Sequence, residues 1–279
     1  MDLIASLQCA DQPGIVHAMT SAVLSCGGNI IENQQFTDTA TNTFVMRTRF
    51  ETSQGLNAAQ KSLTEELGKF SPSLHVRPTD EKPRALILVT KESHCLRDLM
   101  YLLEQGELPI EIPLVISNRE DLKSLVESHG IPFLYLPVTA ASKAEQEKVM
   151  LAKIAELKID FVVLARYMQI LSKEFCVAMP GKIINIHHSF LPGFKGAKPY
   201  HQAHDRGVKI IGATAHFVTS DLDEGPIIEQ DVAHVNHAAT PEEMIARGRD
   251  IERRVLARAV KLFAEDRIFI VGQRTVIFS

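Results

Sequence analysis

The first 80 residues alternate between strand-like and helix-like patterns of apolar positions. Apolar and polar residues mostly alternate over 3–9, as in a strand, whereas apolar residues recur every three or four positions after Ile15 and from Leu56 to Leu67, as in helices. The predicted strands are 3–9, 29–37, 43–50 and 73–77, and the predicted helices are 15–26 and 56–67. This βαββαβ order predicts a ferredoxin-like domain, with a four-stranded antiparallel sheet and both helices on one face.

A different pattern begins after residues 78–83, a charged stretch with two prolines that predicts a linker. From Arg84 onward, continuous apolar runs alternate with helical repeats, which is typical of parallel strands buried on both faces. The predicted strands are 84–90, 111–117, 132–136, 160–164, 183–186, 212–218 and 226–232, with helices at 96–105, 121–128, 143–157 and 240–264, and two short strands within 268–278. We therefore expect an α/β chain of two domains, 1–80 and 84–279, the second Rossmann-like with a mostly parallel sheet.

The composition is that of a globular protein with a slight acidic charge. The 279 residues are 45% hydrophobic with a net charge of −4, which excludes a disordered chain and argues against a nucleic-acid partner. No apolar run reaches the roughly 18–20 residues that span a bilayer, and no basic stretch precedes the first apolar residues, so we expect neither membrane association nor secretion. The four cysteines form no CxxC pair, which indicates buried thiols and a cytoplasmic protein.

Polar residues with catalytic potential follow two of the predicted strands. Ligands of an open α/β sheet bind beyond the carboxyl ends of its strands. Asn185 and His187 are two residues apart, so both side chains lie on one side of the strand. An amide beside an imidazole can hold an oxygen that gains charge while the imidazole moves a proton. Asp223, in a turn before Gly225, is the candidate carboxylate, although spacing alone does not show that it meets His187.

Other histidines leave an alternative open. Seven of the eleven histidines lie between His187 and His237. His201 and His204 stand three residues apart on a predicted helix, a spacing that zinc sites use, although a third ligand is not evident and a solvated helix face has the same pattern. His188 and His216 belong to a type that is more often structural than catalytic.

Three motifs in the second domain resemble those of the folate-dependent formyltransferase family. They are Leu164–Leu171, Gly181–Pro192 with its Asn-Ile-His followed by Ser-Phe-Leu-Pro, and His216–Ile228 with an aspartate before glycine. The resemblance implies that Asn185, His187 and Asp223 are catalytic and that the first motif holds a pterin ring through its backbone. The substrate-binding residues that it implies are Arg166, Met168, Gln169, Ile170, Leu171, Thr219, Ser220 and Asp221.

The first domain resembles an ACT domain, a small regulatory module. Its turn Asp11–Ile15 and its loop Gly27–Ile30 stand where ACT domains carry a turn and a ligand loop. The resemblance implies a homo-oligomer with an amino-acid effector, glycine or methionine. A purely structural dimerisation domain is the alternative.

An ACT domain ahead of a formyltransferase-like domain implies hydrolysis of 10-formyltetrahydrofolate to formate and tetrahydrofolate, a reaction that balances one-carbon folate pools and supplies formate for purine biosynthesis. Relatives that formylate a phosphorylated amine carry a glycine-rich phosphate loop after the first strand. Here that loop is Thr90–Cys95, with no glycine between Gly68 and Gly106 and an acidic residue at Glu92. Water is therefore the expected acceptor, and no metal or cofactor is expected.

Two rival functions are a formyltransferase with an unidentified amine acceptor and a non-catalytic folate or amino-acid sensor. The presence of all three candidate catalytic residues argues against the sensor. The charge distribution agrees with an anionic folate, since residues 165–209 contain seven Lys/Arg against two Asp/Glu. These basic residues are Arg166, Lys173, Lys182, Lys195, Lys198, Arg206 and Lys209. Such a field can steer a glutamylated substrate, and a solvated face that happens to be basic is the alternative.

Overall fold

The computed structural model describes residues 1–139, 142–193 and 199–279, with no side-chain description for residue 199. Lys195 and Lys198, two of the basic residues above, lie outside the described residues. The chain forms two compact units, one of Met1–Lys82 with Glu265–Ser279 and one of Pro83–Ala264.

The first unit contains the predicted four-stranded antiparallel sheet. Its elements are β1 (Asp2–Ala10), α1 (Ile15–Ser25), β2 (Gly28–Asp38), β3 (Thr43–Thr52), α2 (Leu56–Leu67), a short 3₁₀ turn (Gly68–Phe70) and β4 (Ser73–Pro78). The strand order is β2-β3-β1-β4, with every neighbouring pair antiparallel. Apolar residues of both helices pack with alternate residues of β1, among them Leu3, Leu7, Met19 and Leu63, all fully or almost fully buried. The predicted βαββαβ order is confirmed.

The C-terminal hairpin corrects the predicted domain boundary. Strands β12 (Ile268–Val271) and β13 (Arg274–Ile277) were predicted as strands, but within the second domain. They pack instead in the first unit, where Phe269, Val271 and Phe278 cluster with Val45 of β3. A two-stranded hairpin has no core of its own, so it buries its apolar side against the open face of a larger sheet.

Polar contacts hold the same hairpin to the four-stranded sheet. Arg47 donates from Nε to the backbone oxygen of Glu265 at 3.0 Å. Arg267 is 3.3 Å from Glu32, which also pairs with Arg47 at 3.1 Å. The hairpin is therefore attached by a shared carboxylate as well as by apolar contact.

The second unit is an α/β layer structure around one seven-stranded sheet. Its elements are β5 (Arg84–Val89), α3 (His94–Glu104), β6 (Glu111–Ser117), α4 (Lys123–Ser128), β7 (Phe133–Tyr135), α5 (Lys143–Glu156), β8 (Phe161–Leu164), α6 (Lys173–Ala178), β9 (Ile183–His187), α7 (Pro199–Asp205), β10 (Ile210–Phe217), β11 (Ile227–His234) and α8 (Pro241–Ala264). The order is β11-β10-β9-β8-β5-β6-β7, parallel from β9 to β7, with β10 antiparallel to both neighbours. The mostly parallel sheet is confirmed, whereas α6 was not predicted.

The topology of this sheet determines where a ligand can bind. Strand β5 lies between β6 and β8, so the connections after β5 and β8 diverge to opposite sides and open a crevice at their carboxyl ends. Strand β9 ends at the same edge. The antiparallel β10 starts at this edge and ends at the opposite one, so its final residue Phe217 lies beside the beginning of β9, opposite Ile184.

Candidate active site

The amide and imidazole predicted from the sequence lie side by side near the end of β9. Asn185 and His187 alternate with Ile186, so their side chains leave the same face of the strand. Strand β10 places His216 directly opposite Asn185 in the antiparallel register. Asn185 Nδ2 and His216 Nε2 are 3.2 Å apart, and His216 Nδ1 lies 2.8 Å from the backbone oxygen of Phe217. His216 thus anchors the amide of Asn185.

Asp223 reaches the same place from the turn between β10 and β11. Its backbone adopts a left-handed φ of 56°. Gly225 permits the turn, because a Cβ there would lie only 1.8 Å from the carbonyl oxygen of Phe217. Asp223 Oδ2 lies 3.3 Å from His187 Nδ1, and Oδ1 lies 3.6 Å from His216 Nε2. The fold therefore brings together the carboxylate and imidazole that sequence spacing left apart.

The electrostatics of this group favour an ionised carboxylate. The contact with His187, and after it that with His216, holds the pKa of Asp223 well below its ordinary value, although burial acts in the opposite direction. His187 is buried, and its Nε2 has no hydrogen-bond partner among the residues that the structure describes. An imidazole oriented by a carboxylate through Nδ1 has Nε2 available for a reacting group.

A cavity of about 240 Å³ opens in front of these side chains. One wall is the segment 166–171 after β8, and the opposite wall is the turn 218–223 after β10. Every residue that the sequence singled out as catalytic or substrate-binding lines this cavity: Asn185, His187, Asp223, Arg166, Met168, Gln169, Ile170, Leu171, Thr219, Ser220 and Asp221. Met168 and Ile170 line this cavity and are more than half exposed.

Hydrogen bonds hold both walls of the cavity. They join the segment 166–171 to the sheet, and they stabilise the turn 218–223 internally. Met168 donates its backbone N–H to Thr90 Oγ1 at 3.0 Å, and the Thr90 hydroxyl donates to Asn118 at 2.8 Å. Thr90 directly follows β5 and is buried, so it fixes the 166–171 segment to the centre of the sheet. In the opposite wall, Thr219 donates to the backbone oxygen of Asp221 at 3.1 Å.

Three comparisons with known proteins agree on the family. A family model described as Formyl transferase matches residues 83–260. A formyltetrahydrofolate deformylase of Synechocystis sp. is 47% identical over 98% of this chain and 97% of its own length. The chain belongs to the formyl transferase family.

Solved structures of two kinds of protein resemble the structure of this chain. The formyltetrahydrofolate deformylase of Burkholderia mallei superposes with a TM-score of 0.96 at 44% identity, covering 100% of this chain and 99% of the other. Glycinamide ribonucleotide transformylase 1 of Symbiobacterium toebii gives a TM-score of 0.67 at 32% identity, covering 71% of this chain and 95% of the other. The first kind therefore matches both units, whereas the second matches a part of the chain.

Two further polar residues, His216 and Glu252, make contacts near the site that the sequence pattern did not predict. His216 was assigned a structural role, and the structure places it within reach of both Asn185 and Asp223. Its position in the same motif as Asp223 was the available signal. Glu252 was not singled out, because it resembles the other acidic residues of α8, yet its side chain is only 2% exposed and lies beside Arg166 at 3.5 Å.

His188 differs chemically from the neighbouring His187. The two rings are 5.3 Å apart. Burial, followed by the positive charge of Arg166, lowers the pKa of His188 to about 4. His188 is therefore neutral at physiological pH and can contribute a hydrogen bond to the cavity without adding charge.

The described residues offer one grouping with metal-ligand character, which consists of His94, Cys95 and Glu252. The guanidinium of Arg166 already pairs with Glu252, and burial raises the pKa of the Cys95 thiol well above its ordinary value, which disfavours the thiolate that a metal needs. His201 and His204 do not belong to such a grouping among the residues covered by the structure. Of the helices described, none is long and apolar enough to cross a membrane.

Proposed function

We propose that this protein hydrolyses 10-formyltetrahydrofolate to formate and tetrahydrofolate. The observation that carries the proposal is the match of both units, over 98% of the chain, to a relative named formyltetrahydrofolate deformylase. The site chemistry supports it, since an amide, an imidazole and an ionised carboxylate meet at a cavity between two walls that can take a pterin.

In the mechanism that we propose, the pterin lies between the two walls and the N10 formyl group faces Asn185 and His187. Asp223 orients a water molecule and accepts its proton as the water oxygen bonds to the formyl carbon. Asn185 donates to the formyl oxygen as it gains negative charge. The C–N10 bond then breaks, N10 takes the proton that the water gave up, and the formic acid that is released ionises, so that formate and tetrahydrofolate leave. His187 donates to the same oxygen in its protonated form, which Asp223 stabilises until it accepts the proton from water.

The loop after β5 supports water rather than a phosphorylated amine as the acceptor. This loop contains no glycine, so its backbone lacks the open N–H groups that phosphate binding uses. Glu92 pairs there with Arg249 at 3.1 Å, and His94 donates to Glu252 at 2.8 Å. Formyl transfer to another amine is the second candidate, and release of formate without any amine distinguishes the two.

Regulation and assembly are assigned to the first unit. We propose that it is an ACT domain, on the support of its βαββαβ order and strand order, and that it joins copies of the chain into a homo-oligomer with glycine or methionine as effector. Sedimentation with and without each amino acid tests this. A chain that assembles normally but binds neither amino acid would indicate a purely structural dimerisation domain.

The cellular setting follows from the proposed reaction. We propose a cytoplasmic enzyme that balances one-carbon folate pools and supplies formate for purine biosynthesis. Neither a metal nor a cofactor is needed in this mechanism, because proton transfer and charge stabilisation are assigned to side chains. Turnover after exhaustive chelation is therefore expected to equal that of untreated protein.

The deciding experiment measures formate release from 10-formyltetrahydrofolate in amine-free buffer. Catalytic release by the wild-type chain and its loss in Asp223→Asn, with tetrahydrofolate binding retained, is the expected result. Tight folate binding without formate release would overturn hydrolysis and favour transfer to an amine.

A further inference from the structure

A buried network of charged and polar side chains lies next to the candidate active site within the second unit. Glu252 of α8 is buried and is contacted from three directions. Tyr200 donates to its Oε1 at 2.8 Å, His94 donates to its Oε2 at 2.8 Å, and Arg166 Nε lies 3.5 Å from Oε2. Burial is the largest influence on the pKa of Glu252 and raises it, but His94 and Arg166 together bring it below the ordinary value. The carboxylate is therefore ionised.

Two unusual backbone features accommodate this network, a left-handed residue and a glycine within a helix. Arg166 adopts a left-handed φ of 64°, a conformation that costs a non-glycine residue on the order of 1 kcal/mol. Gly248 stands inside α8, where a Cβ would lie 2.1 Å from the hydroxyl of Tyr200. Glycine within a helix costs roughly 0.5–1 kcal/mol relative to alanine. The chain thus accepts a conformational cost at two positions, one at Arg166 itself and one at Gly248, which leaves room for the ring of Tyr200.

The guanidinium of Arg166 is held in place, but not all of its N–H donors are used in hydrogen bonds. Its Nε and Nη1 are buried and have no hydrogen-bond partner among the described residues. The contact with Glu252 supplies charge compensation at 3.5 Å without a good hydrogen bond. Arg166 lines the same cavity as Asn185, His187 and His188. A cation with unused donors therefore stands beside the place where the proposed reaction produces an anion.

We propose that Arg166 binds the carboxylate of the product formate, and that the cavity beside His188 is a site for small monocarboxylate anions. The inference rests on the proposed function, because formate is the product of that reaction. A planar guanidinium matches a carboxylate in geometry and charge. The neutral imidazole of His188 can donate a further hydrogen bond. Glu252, Tyr200 and His94 are positioning residues that orient Arg166.

The glutamyl tail of the folate is a second source of the same chemistry. That tail is long and flexible, and it must leave the cavity toward solvent. The side chain of Arg166 is only 14% exposed and is enclosed by Glu252 on its inner side. An enclosed cation fits a small anion released inside the cavity better than a tail that runs outward.

The test measures inhibition of the full-length enzyme by formate and acetate, with formamide and acetamide as uncharged controls. Wild-type protein is expected to be inhibited by both carboxylates and not by the amides. Arg166→Gln is expected to need at least tenfold more formate for equal inhibition, since a charge-assisted pair is lost. Arg166→Lys keeps the charge and is expected to fall between the two. Arg119→Gln is the matched control, because Arg119 is an exposed arginine paired with Asp121.

Additional measurements distinguish a failure of the proposed anion site from a failure of hydrolysis or of folding. Saturation-transfer NMR of formate with enzyme and tetrahydrofolate reports binding without turnover, so it tests the site even if hydrolysis itself is disproved. Arg166→Gln combined with Glu252→Gln removes both buried charges and covers the case in which the single variant does not fold. Equal formate binding in wild-type and variant protein would overturn the proposal. Unchanged formate binding with a tenfold loss of tetrahydrofolate affinity would assign Arg166 to the glutamyl tail.

Discussion

Asp223 Oδ2 lies 3.3 Å from Nδ1 of His187, and the other ring nitrogen of His187 has no hydrogen-bond partner among the described residues. The carboxylate therefore fixes the orientation of the imidazole and stabilises its protonated form, while Nε2 remains available to a reacting group. Asp223 does so from a left-handed backbone position that Gly225 makes possible. The pairing depends on a turn and not on neighbouring sequence positions.

The amide of Asn185 provides the first prediction. Asn185→Ala is expected to lower kcat for formate release by about 10²–10³, because it removes a donor to an oxygen that gains charge. Tetrahydrofolate affinity and the circular dichroism spectrum are expected to match the wild-type protein, since Asn185 contacts His216 but is not part of the apolar core. Turnover within a few fold of wild type would disprove the assigned role.

The low pKa of His188 predicts a pH-dependent stability. Its pKa is about 4 in the folded chain against an ordinary value of 6.5, so between these values the unfolded chain binds a proton that the folded chain does not. The free energy of unfolding is therefore expected to fall as pH decreases from 6.5 to 4. His188→Gln removes this contribution, and urea titrations at pH 7, 5.5 and 4.5 are expected to show a smaller decline than for wild type. Parallel declines would contradict the prediction.

Thr90 is expected to act on substrate binding through the segment that it holds. Thr90→Val removes the acceptor for the N–H of Met168, so the KM for the folate is expected to rise by about 2–10-fold with little change in kcat. Thr90→Ser keeps the hydroxyl and is expected to restore the wild-type KM. Thr64→Val, which removes an exposed hydroxyl of α2, is the control. A fall in kcat at unchanged KM would exclude this positioning role.

Gly248 predicts an unusual result for a helix substitution. Gly248→Ala raises helix propensity, yet the added methyl group would overlap the ring of Tyr200, so a loss of about 1–3 kcal/mol in the free energy of unfolding is expected. Gly68→Ala is the matched control. Its backbone is right-handed and nothing lies within 4 Å of a Cβ there, so it is expected to be neutral or slightly stabilising. Urea midpoints of both variants give the comparison, and equal stabilities would show that Tyr200 can move away.

Regular patterns of hydrophobicity predicted most of the fold because they record burial directly. The strands around Leu86 and Val162 are continuously apolar and fully buried, and the long helix that ends at Ala264 repeats its apolar face over 24 residues. The hydrophobic pattern did not predict which unit the C-terminal hairpin packs in. Its apolar residues show that one side is covered, but not which sheet covers it.

The sequence predicted the proximity of site residues only where those residues lie on the same strand. Asn185 and His187 share a strand face, so their proximity follows from the chain itself. The contacts of Asp223 and His216 depend on an antiparallel register and a glycine turn, and the network around Glu252 joins residues more than 50 positions apart. Long-range pairs of this kind leave no periodic signal in one sequence.

The packing of β12 and β13 against β3 means that the first unit is assembled from two separate stretches of the chain. A single proteolytic cut within residues 79–82 would not release it, because the hairpin that covers Val45 would stay on the other fragment. A recombinant fragment that stops at Lys82 would likewise expose Val45 and leave Arg47 without the backbone oxygen of Glu265. Any effort to isolate this unit has to join residues 1–82 to residues 265–279 in one polypeptide.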